Sequence, residues 1–596
     1  MKYPKLKALG TSRQMVDVFK GYNHNLRIGD GEFFDMKNMT SDNYPVLSPR
    51  GSRGIYANGP DLNGLISKDA LCYVDGKYFV MNDYRVDMGL SIGPKQLISM
   101  GAYVVIMPDK KWINTLNLDD KEFGNIDAEF TTQAPVTFTL CKQDGTSYSS
   151  GIPTDEPDEP ANKEMWIDTS TEPHSLKQWS ESAGMWVTIP TTYIKIESPG
   201  IGAAFEKYDG ITISGLKGVQ LHDNVTGNVI EDTSDLAALE GAAVVWEKDE
   251  EENRYIVVVG ILDTVRTIKD QITISRKMPE MDFVVESGNR LFGCRYGENA
   301  EGEVVNEIYA SKLGDFKNWG CYMGLSTDSY TASCGTDGQW TGAITHMGYP
   351  LFFKENCVHK VYGNYPANFQ IQDTACRGVQ KGCEKSLAIV NETLFYKARS
   401  GVCAYDGSLP TEVSYAMGNE VYSDAVGGSH GNKYYISMKD SNEQYQLFVY
   451  DIAKGMWHKE DDLKVEFFCS CHGEMYAIVD SNIITMLGSG EKDTEPVEWM
   501  VETGEIGISS PDMKYISRLT VRMSMDIGAE IRIYAQYDFG EDWEHLYTMQ
   551  ATSLRSFSLP LRPKRCDHMK LRIEGVGAAK IYSITKTIEQ GSELSW

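Results

Sequence analysis

Leu387-Ala388-Ile389-Val390-Asn391-Glu392-Thr393-Leu394-Phe395-Tyr396 is an apolar run, a two-residue polar turn and an aromatic-rich apolar run. Two such runs joined by residues that tolerate positive φ read as a β-hairpin. The phrase recurs. Downstream, Gly431-Asn432 leads into Tyr434-Tyr435-Ile436, and Phe467-Phe468 passes through Gly473 to Met475-Tyr476-Ala477-Ile478. Upstream, Phe283-Val284-Val285 runs through Gly288-Asn289 to Leu291-Phe292, and Gly348-Tyr349-Pro350 opens into Leu351-Phe352-Phe353. The turns near 288, 348, 391, 431 and 473 are spaced by 60 and then by 43, 40 and 42 residues. A period of about 40–45 residues with several short strands per unit is that of four-stranded propeller blades, which must stack to bury both faces. A set of β-sandwiches with coincident spacing is the alternative.

Two further hairpin signals precede this series. Leu71-Cys72-Tyr73-Val74 turns at Asp75-Gly76 into Lys77-Tyr78-Phe79-Val80, and Leu97-Ile98-Ser99 turns at Met100-Gly101 into Tyr103-Val104-Val105-Ile106. Between about 127 and 277 the period is lost. An acidic, Pro-rich stretch at 153–160 should stay extended. After it come β-patterned pieces carrying Trp166, Trp179 and Trp186. Ala242 to Trp246 and Tyr255 to Val259, around a polar tip, read as a hairpin. After Pro496 the pattern changes again: Leu519, Val521, Met523 and Met525 alternate with Thr520, Arg522 and Ser524, the period of a half-buried strand.

The expected architecture is therefore all-β. An extended arm (1–50) leads into a propeller-like repeat domain (51–126 and 278–495), interrupted by one or two small inserted β-domains (127–277) and followed by a C-terminal β-sandwich (496–596). The arm either packs on its own domain or docks on a neighbouring subunit.

The 596 residues are 41% hydrophobic, enough for a sizeable core, with 33 Tyr, 20 Phe, 11 Trp and 55 Gly to supply strands and tight turns. The net charge of −27 argues against general affinity for nucleic acid or anionic membranes, both of which need a cationic surface. An acidic wall would repel passing DNA and keep it from sticking; the alternative is that the charge provides solubility alone. The twelve cysteines contain no C-x-x-C, and most sit in apolar runs, as buried thiols of a reducing compartment do. The first residues have no apolar signal region, and no stretch is long enough to span a bilayer.

No catalytic motif is intact. Gly210 to Lys217 places Leu216 where a phosphate-binding loop needs lysine. No H-E-x-x-H, nucleophile elbow or EF-hand is present. Ser333-Cys334-Gly335-Thr336-Asp337-Gly338-Gln339-Trp340 has the Ser and Trp of a sialidase-type S-x-D-x-G-x-x-W turn, but its Asp and Gly are displaced. The expectation is a protein that is not an enzyme, with no catalytic, cofactor or metal residues. Trp166, Trp179 and Trp186 are either glycan-stacking residues or the core of a small β-domain. Arg562, Lys564, Arg565, Lys570 and Arg572, with His568, form a local basic stretch, either a contact for an acidic neighbouring subunit or a solvated face.

Asp35-Met36-Lys37-Asn38-Met39 through Tyr44-Pro45-Val46-Leu47-Ser48-Pro49-Arg50 resembles the opening of phage proteins in which an arm enters a propeller. Ser287 to Gly293, followed by Ile308-Tyr309-Ala310-Ser311, Gly314-Asp315-Phe316 and Trp319, is similar to a blade of the tubular tail nozzle proteins of short-tailed phages. Phe352-Phe353-Lys354 to Val361-Tyr362-Gly363, Arg377-Gly378 and Leu394-Phe395-Tyr396 fit the blades that follow. Lys514-Tyr515-Ile516-Ser517 and Arg565-Cys566-Asp567-His568 look like phrases of Gram-positive prophage proteins. The insertion departs from the nozzle pattern. The resemblance implies a virion tail protein assembled in the host cytoplasm. Its subunits would form a homo-oligomeric ring, often of six, in contact with other tail or adaptor proteins. Viral double-stranded DNA would pass through the lumen without specific binding. A peripheral adhesin or fibre protein that binds a host-surface glycan through the insertion is the alternative, and a propeller glycosidase is a third reading.

Overall fold

The computed structural model describes residues 10–590 apart from 149–150, 220, 223–225, 227, 231–233, 300–301, 489–490, 493–495, 509–513, 539, 552–554 and 558–563. It is nearly all β. Six four-stranded antiparallel sheets follow one another as blades, at 62–87, 96–125, 283–333, 342–375, 388–412 and 423–459, and a seventh blade of five strands takes three of them from 467–485. In each, the first strand is innermost. The innermost strands of blades 1 to 4 touch in succession, as do those of blades 5 to 7, and that of blade 7 returns to that of blade 1. The 3-10 turn Glu384–Ser386 fills the space between blades 4 and 6 beside blade 5.

The repeat turns of the sequence are the inner hairpins of blades 3–7. Residues 288/289, 347/348, 391/392 and 472/473 have positive φ at both central positions, the geometry that matches strand twist. The early Asp75-Gly76 turn is a different hairpin, joining the second and third strands of blade 1. Separate apolar cores lie between successive blades, such as Phe79, Val104 and Ile106 between blades 1 and 2, and Phe292, Ile308 and Phe352 between blades 3 and 4. No blade is covered without its neighbours.

Blade 7 takes its outer strand from the other end of the propeller. Gly54–Asn58, ahead of blade 1, pairs with Asn482–Thr485 and closes the ring. Beside it, Arg53 donates from both terminal nitrogens to Glu460 (2.6 Å) and Asp461 (2.5 Å), with all three side chains buried.

The arm is woven into the C-terminal sandwich. Thr11–Val16 adds to the sheet containing Lys514–Met525 and Ala579–Gln590. Glu32–Lys37 pairs with Glu498–Thr503 in the opposing sheet, which continues through Met569–Val576 and Glu530–Tyr537. Leu519, Val521, Met523 and Met525 face inward, as the alternation requires. Their core is continuous with that of blades 4–6 through Phe33, Met36, Met39, Phe448 and Trp457. The arm phrase Asp35 to Met39 thus joins sandwich to propeller. Asn38, at φ 56°, donates its side-chain amide to Glu498 O (2.7 Å) and its backbone N–H to Glu460 O, while Lys459 pairs with Asp35 at 3.1 Å.

Between blades 2 and 3 the chain builds a second sandwich. Its four-stranded and seven-stranded sheets enclose Phe138, Ile196, Ile213, Val258 and Ile274. Asp209 ties it to blade 3: its carboxylate accepts from Arg276 and from Asn318 Nδ2 (2.9 Å). The hairpin expected at 242–259 forms only near its tip, where Glu247–Lys248 pairs with Tyr255–Val259. Gly241–Val244 pairs with Gly210–Ser214 in one sheet, and Tyr255–Val259 lies in the other. The apolar run crosses the core at the buried Val245, so one continuous apolar stretch serves two sheets. Among the described residues, no helix is long and apolar enough to cross a membrane.

Candidate glycan-binding face

Residues 142–192 leave the inserted sandwich after Val136–Cys141 and return at Tyr193–Glu197. Within them, Met165–Asp168, Ser175–Ser180 and Met185–Thr188 form a separate three-stranded antiparallel sheet. Trp166 stands opposite Lys177, and Trp179 opposite Trp186. Side chains alternate across a strand, so these four share one face. Ile167 and Leu176 take the other face, where both are buried.

The structure therefore brings the three predicted tryptophans together. Trp186 lies between the others, 6.0 Å from Trp166 and 5.4 Å from Trp179, edge to face at 67° and 68°. Each indole is half-buried, and Trp166 Nε1 is buried without a hydrogen-bond partner. Lys177 Nζ is 5.7 Å from the Trp166 ring and 2.5 Å from Asp168 Oδ2. Rigid aromatic area with a few fixed polar groups at its edge is the composition of a ligand surface. Lys177 and Asp168 were not singled out in the sequence. The period-two relation of Asp168 to Trp166, and of Lys177 to Trp179, is the signal that identifies them.

Hydrogen bonds from Lys177 and Ser170 hold the Asp168 carboxyl down to about 2. A depressed acid contributes stability that is complete above its unfolded value of about 3.9 and is lost as pH falls through the folded value. The stability difference between the native chain and Asp168→Asn should hold constant from pH 7 to 5 and vanish as the pH approaches 2. Denaturant titrations across that range measure it.

The basic stretch is placed differently. Arg562 lies outside the described residues. Lys564 pairs with Glu544 at 2.7 Å, and Arg565 is exposed on the short strand Arg565–Cys566. Lys570 and Arg572 share a face of Met569–Val576 and both reach Glu502, at 3.7 and 2.9 Å. The Arg572 guanidinium also lies 4.0 Å from the centre of the Trp543 ring. The charges at 564, 570 and 572 are answered by carboxylates of their own sandwich.

Ser333 to Trp340 is the connection from blade 3 to blade 4. Trp340 is buried against Phe352 and His359, and Thr336 O accepts from Lys354 Nζ at 2.6 Å. The twelve cysteines are free thiols, and among the described residues no three His, Cys, Asp or Glu gather as a metal site.

No family model matches the chain, and no curated protein matches it. Solved structures do. An exo-β-1,3-galactanase from Phanerochaete chrysosporium is 9% identical, covers 51% of this chain and 94% of its own, and has a TM-score of 0.22. A family 43 arabinoxylan arabinofuranohydrolase from Bacillus subtilis is 8% identical over 52% of this chain and 95% of its own, with a TM-score of 0.15. A Trypanosoma rangeli sialidase is 9% identical over 98% of this chain and 97% of its own, with a TM-score of 0.17. The expectation of a protein that is not an enzyme is withdrawn: the structures found similar are glycoside hydrolases and a sialidase. At such identities and TM-scores, they assign no substrate and no catalytic residue to this chain.

Proposed function

We propose that this chain is a phage tail component that recognises a host-surface glycan through the tryptophan face of its insertion. The observation that carries the reading is the row of half-buried indoles, Trp166, Trp186 and Trp179, gathered on one face of the sheet with Lys177 and Asp168 beside them. The apolar core of the sheet is on the opposite face, where Ile167 and Leu176 are buried while Met185 and Val187 are exposed. The tail assignment rests on the arm phrase, whose residues have a demanding structural role at the junction of sandwich and propeller.

Co-sedimentation with host cell envelopes tests this. The full chain should pellet with the envelopes, and Trp179→Ala with Trp186→Ala should reduce retention at least tenfold without unfolding the rest. Equal retention of both proteins would reject the reading. Reducing sugar released in the same tubes reports hydrolysis.

One observation favours a ring-forming nozzle or hub as a second reading. Thr11–Val16 is an edge strand, paired on one side with Ala579–Gln590 and with no second strand partner among the described residues. It exposes Met15, and Tyr515 and Tyr582 are exposed on the same sheet. An open edge with apolar side chains suits strand addition by a neighbouring copy. Mass photometry at high concentration should show a closed oligomer; a strictly monomeric protein, with no ring in assembled particles, would count against it.

A further inference from the structure

A second site lies at the mouth of the propeller's central channel, where the innermost strands begin. A cavity of about 390 Å³ opens there, lined from blades 1, 6 and 7 and from the segments that lead into blades 2 and 5. Asn63 is 6% exposed, and neither its side-chain nitrogen nor its side-chain oxygen has a hydrogen-bond partner. A buried amide left unmade at both ends costs free energy and calls for something to fill it. Asn63 is also the extra residue of a β-bulge, between Leu62 opposite Asp75 and Gly64 opposite Val74. A second bulge, in the innermost strand of blade 6, carries Asp424 at φ 49°. Both bulged residues line this cavity. Bulges re-aim side chains, and strained non-glycine backbone gathers at ligand sites.

The other polar groups define what fits. Lys385 Nζ sits 3.7 Å from the centre of the Phe467 ring and donates to Glu466 O at 3.3 Å, leaving further donor capacity. Its burial pulls the ammonium pKa below the ordinary lysine value. The Tyr445 hydroxyl donates to Asp424. Asp61, Glu384, Asp424 and Glu466 outnumber Lys385 and Lys464 around the cavity, which disfavours an anion. An amide offering donor and acceptor, an ammonium donor, carboxylate acceptors and aromatic rings together match hydroxyl groups, which both donate and accept. The volume falls in the range of small-molecule pockets, about 300–1,000 Å³.

We infer that the channel mouth binds a single neutral sugar ring, held by Asn63 and Lys385 and bordered by Asp424, Tyr445 and Phe467. The site is separate from the tryptophan face and does not depend on it. Isothermal titration calorimetry of the full chain with D-glucose, D-galactose and N-acetylglucosamine, with glucuronate as the anionic control, tests the inference. At least one neutral sugar should bind saturably and more tightly than glucuronate. Affinity should fall at least tenfold in Asn63→Leu and in Lys385→Met, and persist when Trp166, Trp179 and Trp186 are all alanine. Lys385→Met serves as the second test if Asn63→Leu does not fold. No saturable binding, binding unchanged in both channel variants, or binding lost only with the tryptophans would overturn it.

Discussion

Arg53→Met should destabilise the folded chain by about 3–5 kcal/mol, because removing one partner of a buried ion cluster leaves the others charged and unpaired. Arg53 lies immediately before the strand that closes the propeller, and its guanidinium bridges Glu460 and Asp461 at the end of blade 6. Burial raises the Glu460 carboxyl, and Arg53 is the first of the charges that counter this. Arg50 reaches Asp461 at 3.3 Å, so it compensates only in part. The substitution therefore acts on ring closure and on the junction with the arm together. Chemical denaturation should show the loss, and limited proteolysis should cut first within 50–60. Adding Glu460→Gln to Arg53→Met should recover part of the stability by removing one stranded charge. No recovery would mean that lost packing of the arginine stem, not the uncompensated charge, sets the cost.

Gly21→Ala should separate the arm from blade 6. Gly21 has φ 85°, and a Cβ there would sit 2.2 Å from the carbonyl oxygen of Trp457. The left-handed backbone costs a non-glycine residue about 1–3 kcal/mol. Overpacking against a carbonyl that is itself part of a sheet adds about 1–3 kcal/mol. Gly21 and Tyr22 pair in parallel with Glu32 and Phe33, so the strain falls on the strands that carry the arm into the sandwich. Hydrogen exchange should show faster exchange at 11–37 and in Met456–Lys459, while blades 1–3 stay protected. Uniform loss of protection across all blades would show that arm and propeller unfold as one unit.

The local parts of this fold were legible, and the long-range ones were not. Hairpin turns in blades 3–7 announce themselves because positive φ at two adjacent residues restricts the sequence there. The 60-residue step reflects the long connection at 311–329 within blade 3, where Arg290 donates to the carbonyls of Ser311, Ser326 and Asp328. Nothing local distinguishes Gly54–Asn58 from an ordinary first strand; its partner is more than 400 residues away. The arm strands are equally silent, since their pairing with Glu498–Thr503 and Ala579–Gln590 depends on a surface that exists only after the sandwich forms. The tryptophans were visible as residues, but their shared face needed the register of three strands. The channel-mouth residues come from three blades and two connecting segments, and neither Asn63 nor Lys385 belongs to any motif.

Recognition of a glycan by the tryptophan face is tested by a glycan array probed with the full chain. The native protein should bind a restricted set of glycans, and the variant with Trp166, Trp179 and Trp186 all changed to alanine should lose that signal while melting within a few degrees of the native chain. An array with no signal for the native protein, or the same signal from the folded triple variant, would contradict it.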